Sequence, residues 1–155
     1  MYDMAHEVAD RAARSAGEVL KQKFGNVHHI GKKGEIDLVT EAEIAAEKII
    51  LEMLSKHFPK DNIQSEEAGV QDLSSNRTWI VDPLDGTTNF AHGFPFFAVS
   101  IGLQIDAEIV LGIVYNPVMD EFFEARKGQG AFLNDRPIHV SNARNMSDSL
   151  LATGF

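Results

Sequence analysis

The sequence predicts an α+β fold in which two N-terminal helices pack on a mainly antiparallel sheet. Three observations predict it. Apolar residues recur at helical spacing as far as His57, the period then falls to two, and turn residues separate the short apolar runs that follow. Helices first and strands afterwards is the order of an α+β chain, not of the alternating units that build a doubly wound parallel sheet.

Val8, Ala12, Ala16, Val19 and Leu20 share one helical face, so a helix is expected from Asp3 to Phe24, with Gly25-Asn26 as its stop. A Gly-Lys-Lys-Gly loop then leads into a short extended piece, Glu35 to Val39. Thr40 with Glu43 has the form of a capping box and opens a second helix to about His57. Its buried face includes Ala46, Ile50, Met53 and Leu54, and Phe58-Pro59 ends it. Short strands are expected at Asn62 to Ser65 and Thr78 to Val81, on either side of a polar loop from Val70 to Arg77. The second should stop abruptly at Asp82-Pro83, since proline cannot donate to a ladder. Ala98 to Ile105, Ile109 to Tyr115 and Glu121 to Ala125 read as an antiparallel meander, with turns at Asp106-Ala107-Glu108 and Asn116 to Asp120. Asn134 to Pro137 is a further turn, and Ser149 to Phe155 reads as a last strand. Phe90, Phe94, Phe96 and Phe97 are expected in the core, where aromatic rings bury large area.

A chain of 155 residues with 44% apolar content is expected to form one domain, residues 1–155, with a core of its own. The net charge of -9, from 14 basic and 23 acidic residues, repels nucleic acid, and no basic stripe with interleaved aromatics offsets it. A phosphate ligand would then need bound cations to invert the local field. The absence of cysteine excludes disulfides, zinc thiolates and a cysteine nucleophile. No signal-peptide core segment and no membrane-length apolar stretch is visible, so a cytoplasmic protein with no membrane partner is expected.

The segment Asp82-Pro83-Leu84-Asp85-Gly86-Thr87-Thr88-Asn89-Phe90 carries the clearest chemistry. It sets two carboxylates three residues apart at the end of an apolar run, where both can turn toward one point as hard ligands for a divalent cation. Gly86 and Thr87 stand where a helix can begin, with backbone N–H groups free to meet a phosphate oxygen. Asp37 with Glu43, and Glu66-Glu67, form two more acidic clusters at element boundaries. Oxygen-only ligands suit Mg²⁺ or Mn²⁺. Each feature also has a plain structural reading. Asp85-Gly86 is a common turn dipeptide, Glu66-Glu67 a solvated loop pair, and Glu43 the capping partner of Thr40. Lys32 and Lys33 are exposed loop lysines, and His92 packs or caps near the motif helix. The six histidines show no ligand spacing.

The run Trp79-Ile-Val-Asp-Pro-Leu-Asp-Gly-Thr-Thr-Asn-Phe-Ala-His-Gly-Phe-Pro95 resembles the inositol monophosphatases, members of the lithium-sensitive, Mg²⁺-dependent phosphatase superfamily. Asp37-Leu-Val-Thr40, Ser65-Glu-Glu-Ala-Gly69 and Ala125-Arg-Lys-Gly-Gln-Gly-Ala-Phe132 support the resemblance. It implies the N-terminal part of an αβαβα layered sugar-phosphatase fold, with the family's C-terminal domain absent. It also implies that Glu66, Asp82 and the Leu84 carbonyl hold a first metal, and that Asp82 and Asp85 hold a second. Thr87, aided by Glu66, would orient the attacking water. Gly86, Thr87 and Asp85 would face the phosphate substrate, and Lys32 would approach the phosphate or a third metal. Glu43 stands where the family has an Asp that hydrogen-bonds the threonine matching Thr87, which places it in the catalytic set. The family's last metal-binding Asp, in a downstream Trp-Asp motif, lies beyond Phe155.

The implied activity is Mg²⁺-dependent hydrolysis of inositol monophosphate or a similar polyol phosphate, weak or absent in a chain without that Asp. Fructose-1,6-bisphosphatase activity is the alternative of the same chemistry. A non-catalytic binding module, such as a partner in transcription complexes, is the alternative of another class. Homodimers are common in the family.

Overall fold

The protein is described by a computed structural model covering residues 3–24 and 32–152. Helix α1, Asp3–Phe24, has the expected bounds and buries Ala5, Val8, Ala12, Ala16 and Leu20. Its inner face is almost all alanine, so its backbone approaches the sheet closely. Gly17 is the extreme case: a β-carbon there would lie 2.6 Å from the Tyr115 ring. The stop expected at Gly25-Asn26 lies outside the described residues.

Helix α2 runs Lys32–His57, and this corrects the expectation of an extended piece at Glu35 to Val39 followed by a helix start at Thr40. Thr40 and Glu43 sit inside the helix, so they form no capping box. The reason is visible in the spacing: Val39, Ala42, Glu43, Ala46, Glu47, Ile50 and Leu54 are all buried at steps of three and four. The helical face therefore continues upstream of Thr40, and packing against α1 overrides the local capping signal.

The strands form one eight-stranded sheet in the order β2-β1-β3-β4-β5-β6-β7-β8. They are β1 (Asn62–Ser65), β2 (Gly69–Gln71), β3 (Arg77–Asp85), β4 (Ala98–Ile105), β5 (Glu108–Asn116), β6 (Glu121–Arg126), β7 (Gly130–Leu133) and β8 (Arg136–Ile138). Only the β1–β3 pair is parallel; every other pair is antiparallel. The α+β expectation and the meander from β4 to β6 hold. Strand β2 begins at Gly69 and runs into what reads as a polar loop from Val70, because it is an exposed edge with no apolar face to signal it. Ser149 to Ala152 form no strand; a single 3₁₀ turn, Met146–Asp148, precedes them, and residues 153–155 lie outside the described set.

Helices α1 and α2 cover one face of the sheet. Trp79, Val81, Val99, Ile101, Leu103, Leu111 and Ile113 point into that layer and are essentially fully buried. Phe24, Phe90 and Phe97 cluster at one end of it, with ring centroids 4.9 to 5.6 Å apart. Phe94 and Phe96 depart from the core expectation: they are 58% and 62% exposed. Both lie on the bend before β4 and pack on each other at 6.2 Å, with no element over them. Val114 and Phe123, cross-strand neighbours on the opposite face, are also exposed apolar groups. Among the described residues no helix is long and apolar enough to cross a membrane.

Candidate active site

The site is built at the end of β3. The strand does not stop at Pro83, as expected, but continues to Asp85 through a bulge: Asp82 faces Ser100 and Asp85 faces Ala98, so three steps on β3 match two on β4. A bulge is where a sheet tolerates proline, since the extra residue leaves the ladder. The bulge is stapled by the Leu84 N–H, which donates to Asp82 Oδ1 at 3.0 Å. It buries the Leu84 side chain and leaves the Leu84 carbonyl to accept from the Thr87 hydroxyl at 3.1 Å.

Gly86 then turns the chain into helix α3, Thr87–Ala91, with φ 89° and ψ 37°. This left-handed conformation favours glycine, and a β-carbon would also lie 3.0 Å from the Phe96 carbonyl oxygen. Asn89 Nδ2 donates to that same carbonyl at 2.7 Å, which ties α3 to the bend before β4. His92 caps the short helix through Nδ1 and the Thr88 carbonyl, 2.8 Å apart, as its packing-or-capping reading expects.

Glu66 arrives by a different route. Parallel pairing brings the C-terminal ends of β1 and β3 to one edge, with Ser65 beside Val81. The Glu66 N–H donates to the Val81 carbonyl at 3.2 Å, which sets Glu66 next to Asp82. The Glu66 charge acts directly on the Asp82 carboxyl. The helix layer adds Glu43 from α2 to the same corner.

The electrostatics follow from this crowding. Asp82 is raised from 3.8 to about 6, by burial first and then by the Glu66 charge; the Leu84 N–H opposes the shift, while Asp85 adds to it. Glu43 is raised from 4.5 to about 7, again by burial first, then by Glu67, Glu66, Asp82 and Glu47. Among the described residues, the charged neighbours that act most strongly on Glu43 and Asp82 are other carboxylates. A bound proton or a cation must relieve such a cluster.

Two openings flank the corner. Glu43 and Thr87 line a cleft of about 270 Å³ between α2 and α3, together with Val39, Thr40, Thr88 and His92. Asp85 and Gly86 line a second, of about 330 Å³, with Asn89, Phe96, Asn116 and Phe123. Glu66 and Asp85 thus both act on Asp82, Glu66 and Asp82 act on Glu43, and Thr87 shares a cleft with Glu43. The Lys32 and Asp37 side chains lie outside the described residues.

Among the described residues no three acidic or histidine side chains stand in ready metal-ligating geometry. The donor set fits a hard divalent cation: all-oxygen, strongly negative, and relieved by positive charge. One contributor escapes the sequence reading. Glu47 is buried and accepts hydrogen bonds from the Ser65 hydroxyl and the Ala68 N–H. Its signal was a carboxylate one helical turn beyond Glu43, on a face otherwise apolar.

Known proteins place the chain. The model described as "Inositol monophosphatase family" matches residues 2–155. "Inositol monophosphatase 3" of Solanum lycopersicum is 48% identical over 151 residues, covering 95% of this chain and 56% of that protein. "Inositol-1-monophosphatase" of Mesorhizobium japonicum is 45% identical over 148 residues, with 94% and 56% covered. The crystal structure of extragenic suppressor protein suhB from Bartonella henselae superposes with a TM-score of 0.81 at 45% identity, covering 91% of this chain and 56% of that one. The chain therefore spans little more than half the length of the relatives it matches. A family match along nearly the whole sequence, joined to the same fold, shows that this chain belongs to the inositol monophosphatase family.

Proposed function

We propose that this chain carries the metal- and phosphate-binding corner of a Mg²⁺-dependent phosphomonoesterase acting on inositol monophosphate or a similar polyol phosphate. The observation that carries the reading is the Glu66 N–H bonded to the Val81 carbonyl, which sets Glu66, in the turn after β1, beside Asp82 and the Gly86 turn at the end of β3. Residues 1–155 act as one domain, since both long helices and the sheet share one core.

Glu66, Asp82, Asp85 and the Leu84 carbonyl would hold the cation, Mg²⁺ or Mn²⁺. When bound, it supplies charge neutralisation for phosphate oxygens and lowers the pKa of a water molecule. The remaining steps belong to the chain. The Gly86 and Thr87 N–H groups bind a phosphate oxygen as local donors; α3, at five residues, is too short to add much helix dipole. The Thr87 hydroxyl, already oriented by the Leu84 carbonyl, positions the attacking water, and Glu66 accepts its proton. Glu43, across the cleft from Thr87, restrains that hydroxyl. Its extra methylene relative to aspartate lets it reach from α2. The polyol would lie in the opening beside Asp85.

Relatives of nearly twice this length supply further residues, so the 155-residue chain alone is expected to turn over weakly or not at all. The test has two parts. Mn²⁺ titration by calorimetry should show binding to this chain in the millimolar range or tighter. Mg²⁺-dependent phosphate release from inositol 1-phosphate should appear in a protein carrying this chain at full family length. Absence of Mn²⁺ binding, or unchanged turnover in Asp82→Asn, rules the reading out.

A further inference from the structure

The turn bearing Glu66 and Glu67 closes the β1–β2 hairpin as a three-residue loop: Ser65 pairs with Gly69, and Gly69 adopts φ 78°. A left-handed glycine after three loop residues is a common way to close a hairpin, but it fixes only the backbone path of the turn. It does not fix how the turn sits above β3. One backbone bond does part of that work, from the Glu66 N–H to the Val81 carbonyl. A side chain from another layer does the rest.

Glu47 stands one helical turn beyond Glu43 on α2 and is 8% exposed. A single oxygen, Oε1, accepts from the Ser65 hydroxyl at 2.5 Å and from the Ala68 N–H at 2.8 Å. Ser65 and Ala68 bracket Glu66 and Glu67, so one carboxylate grips the turn on both sides. Its charge works against the site, because it adds to the repulsion acting on Glu43. A buried negative charge beside other carboxylates is a costly choice for structure alone. Its two charge-assisted hydrogen bonds are what it contributes in return.

We propose that Glu47 is a positioning residue, which clamps the β1–β2 turn to α2 and thereby sets Glu66 beside Asp82 for cation binding. The inference rests on the phosphatase reading above and goes beyond it by assigning the site a support from the helix layer. The clamp also couples two members of the cluster, since the same helix delivers Glu43 to the cleft with Thr87.

The test combines Mn²⁺ titration with amide hydrogen exchange of the metal-free chain, in four proteins: unsubstituted, Glu47→Ala, Glu47→Gln and Ser65→Ala. Glu47→Ala should weaken Mn²⁺ affinity about 10- to 100-fold, the usual range when a group supporting a ligand is lost. Its Ala68 amide should exchange about tenfold faster while α1 amides keep their protection. Glu47→Gln keeps an acceptor oxygen and should stay within about threefold of the unsubstituted chain in affinity. Ser65→Ala removes one of the two bonds and should fall between them, and it decides the matter if Glu47→Ala does not fold. Unchanged Mn²⁺ affinity in folded Glu47→Ala and in Ser65→Ala overturns the clamp and leaves the phosphatase reading standing. Unchanged Ala68 exchange in those two variants overturns the clamp as well. Failure of the unsubstituted chain to bind Mn²⁺ overturns the phosphatase reading itself, and with it the purpose assigned to Glu47.

Discussion

The two ends of β3 treat negative charge in opposite ways. At the start of the strand, buried Asp61 accepts one bifurcated bond from Arg77 Nε, 3.0 and 2.9 Å from its two oxygens, and one from Trp79 Nε1 at 3.0 Å. Arg77 also lies over the Phe58 ring at 5.7 Å. That carboxylate is paired, hydrogen-bonded and enclosed, and it fastens the loop after α2 to the sheet. At the far end, Asp82 meets Glu66 and Asp85, and Glu43 meets three acidic residues of that corner and Glu47 besides. The first arrangement lowers the energy of the fold by itself. The second raises it until something positive arrives. One strand thus carries a completed ion pair and an uncompleted one, and the uncompleted one is the place the proposed function gives to a cation.

The contrast can be broken in order of expected effect. In a protein carrying this chain at full family length, Asp82→Asn should reduce Mg²⁺-dependent phosphate release about 10²- to 10³-fold, as losing one preorganised electrostatic group does. The same change should stabilise the metal-free chain, because the amide keeps an acceptor for the Leu84 N–H and removes one repelling charge. Loss of stability together with loss of activity would show Asp82 to be structural after all.

Asp61→Ala should act in reverse, costing about 2–3 kcal/mol in denaturant unfolding. The figure is held below that of a fully buried pair because the Arg77 side chain is 30% exposed. Mn²⁺ affinity of the folded fraction should not change. Gly86→Ala should cost about 1–2 kcal/mol from the left-handed backbone alone, and should weaken phosphate binding by displacing the corner from the Phe96 carbonyl. A substituted chain with native stability would contradict the strain assigned to that turn.

The smallest effect is a pH dependence. Asp82 and Glu43 are raised in the folded state above their ordinary values of 3.8 and 4.5, to about 6 and about 7. The folded chain therefore holds these protons more tightly than the unfolded chain. Their contribution to stability is fully present below the ordinary values and is lost as pH rises through about 6 and about 7. The melting-temperature advantage of Asp82→Asn over the unsubstituted metal-free chain should accordingly grow between about pH 5 and about pH 8. Saturating Mg²⁺ should abolish that growth. An advantage independent of pH would remove repulsion as its cause.

Some of this was legible in advance. The bounds of α1, β1 and β4 follow from apolar period and turn residues, because each lies wholly inside one pattern. Glu66, Asp82 and Asp85 stood out as acidic residues at element ends. The β3 bulge was hidden, since proline after an apolar run signals a strand end and a bulge alike. Thr40 and Glu43 read as a helix start because a capping box is a local pattern, whereas the burial of Val39 and Ala42 is decided by packing between elements. Phe94 and Phe96 were misplaced for the same reason: hydrophobicity states a preference for burial, not whether a covering element exists.

By itself the sequence determined the fold class, the family and the acidic character of the corner, because periodicity, turn chemistry and charge are properties of short stretches. The tertiary structure decided which carboxylates meet. Glu43, Glu47, Glu66 and Asp82 come from a helix, a hairpin turn and a strand, and only the parallel pairing of β1 with β3 under α2 brings them together. The repulsion acting on Glu43 and Asp82 arises from distance and burial between chain segments, neither of which is a property of any one segment.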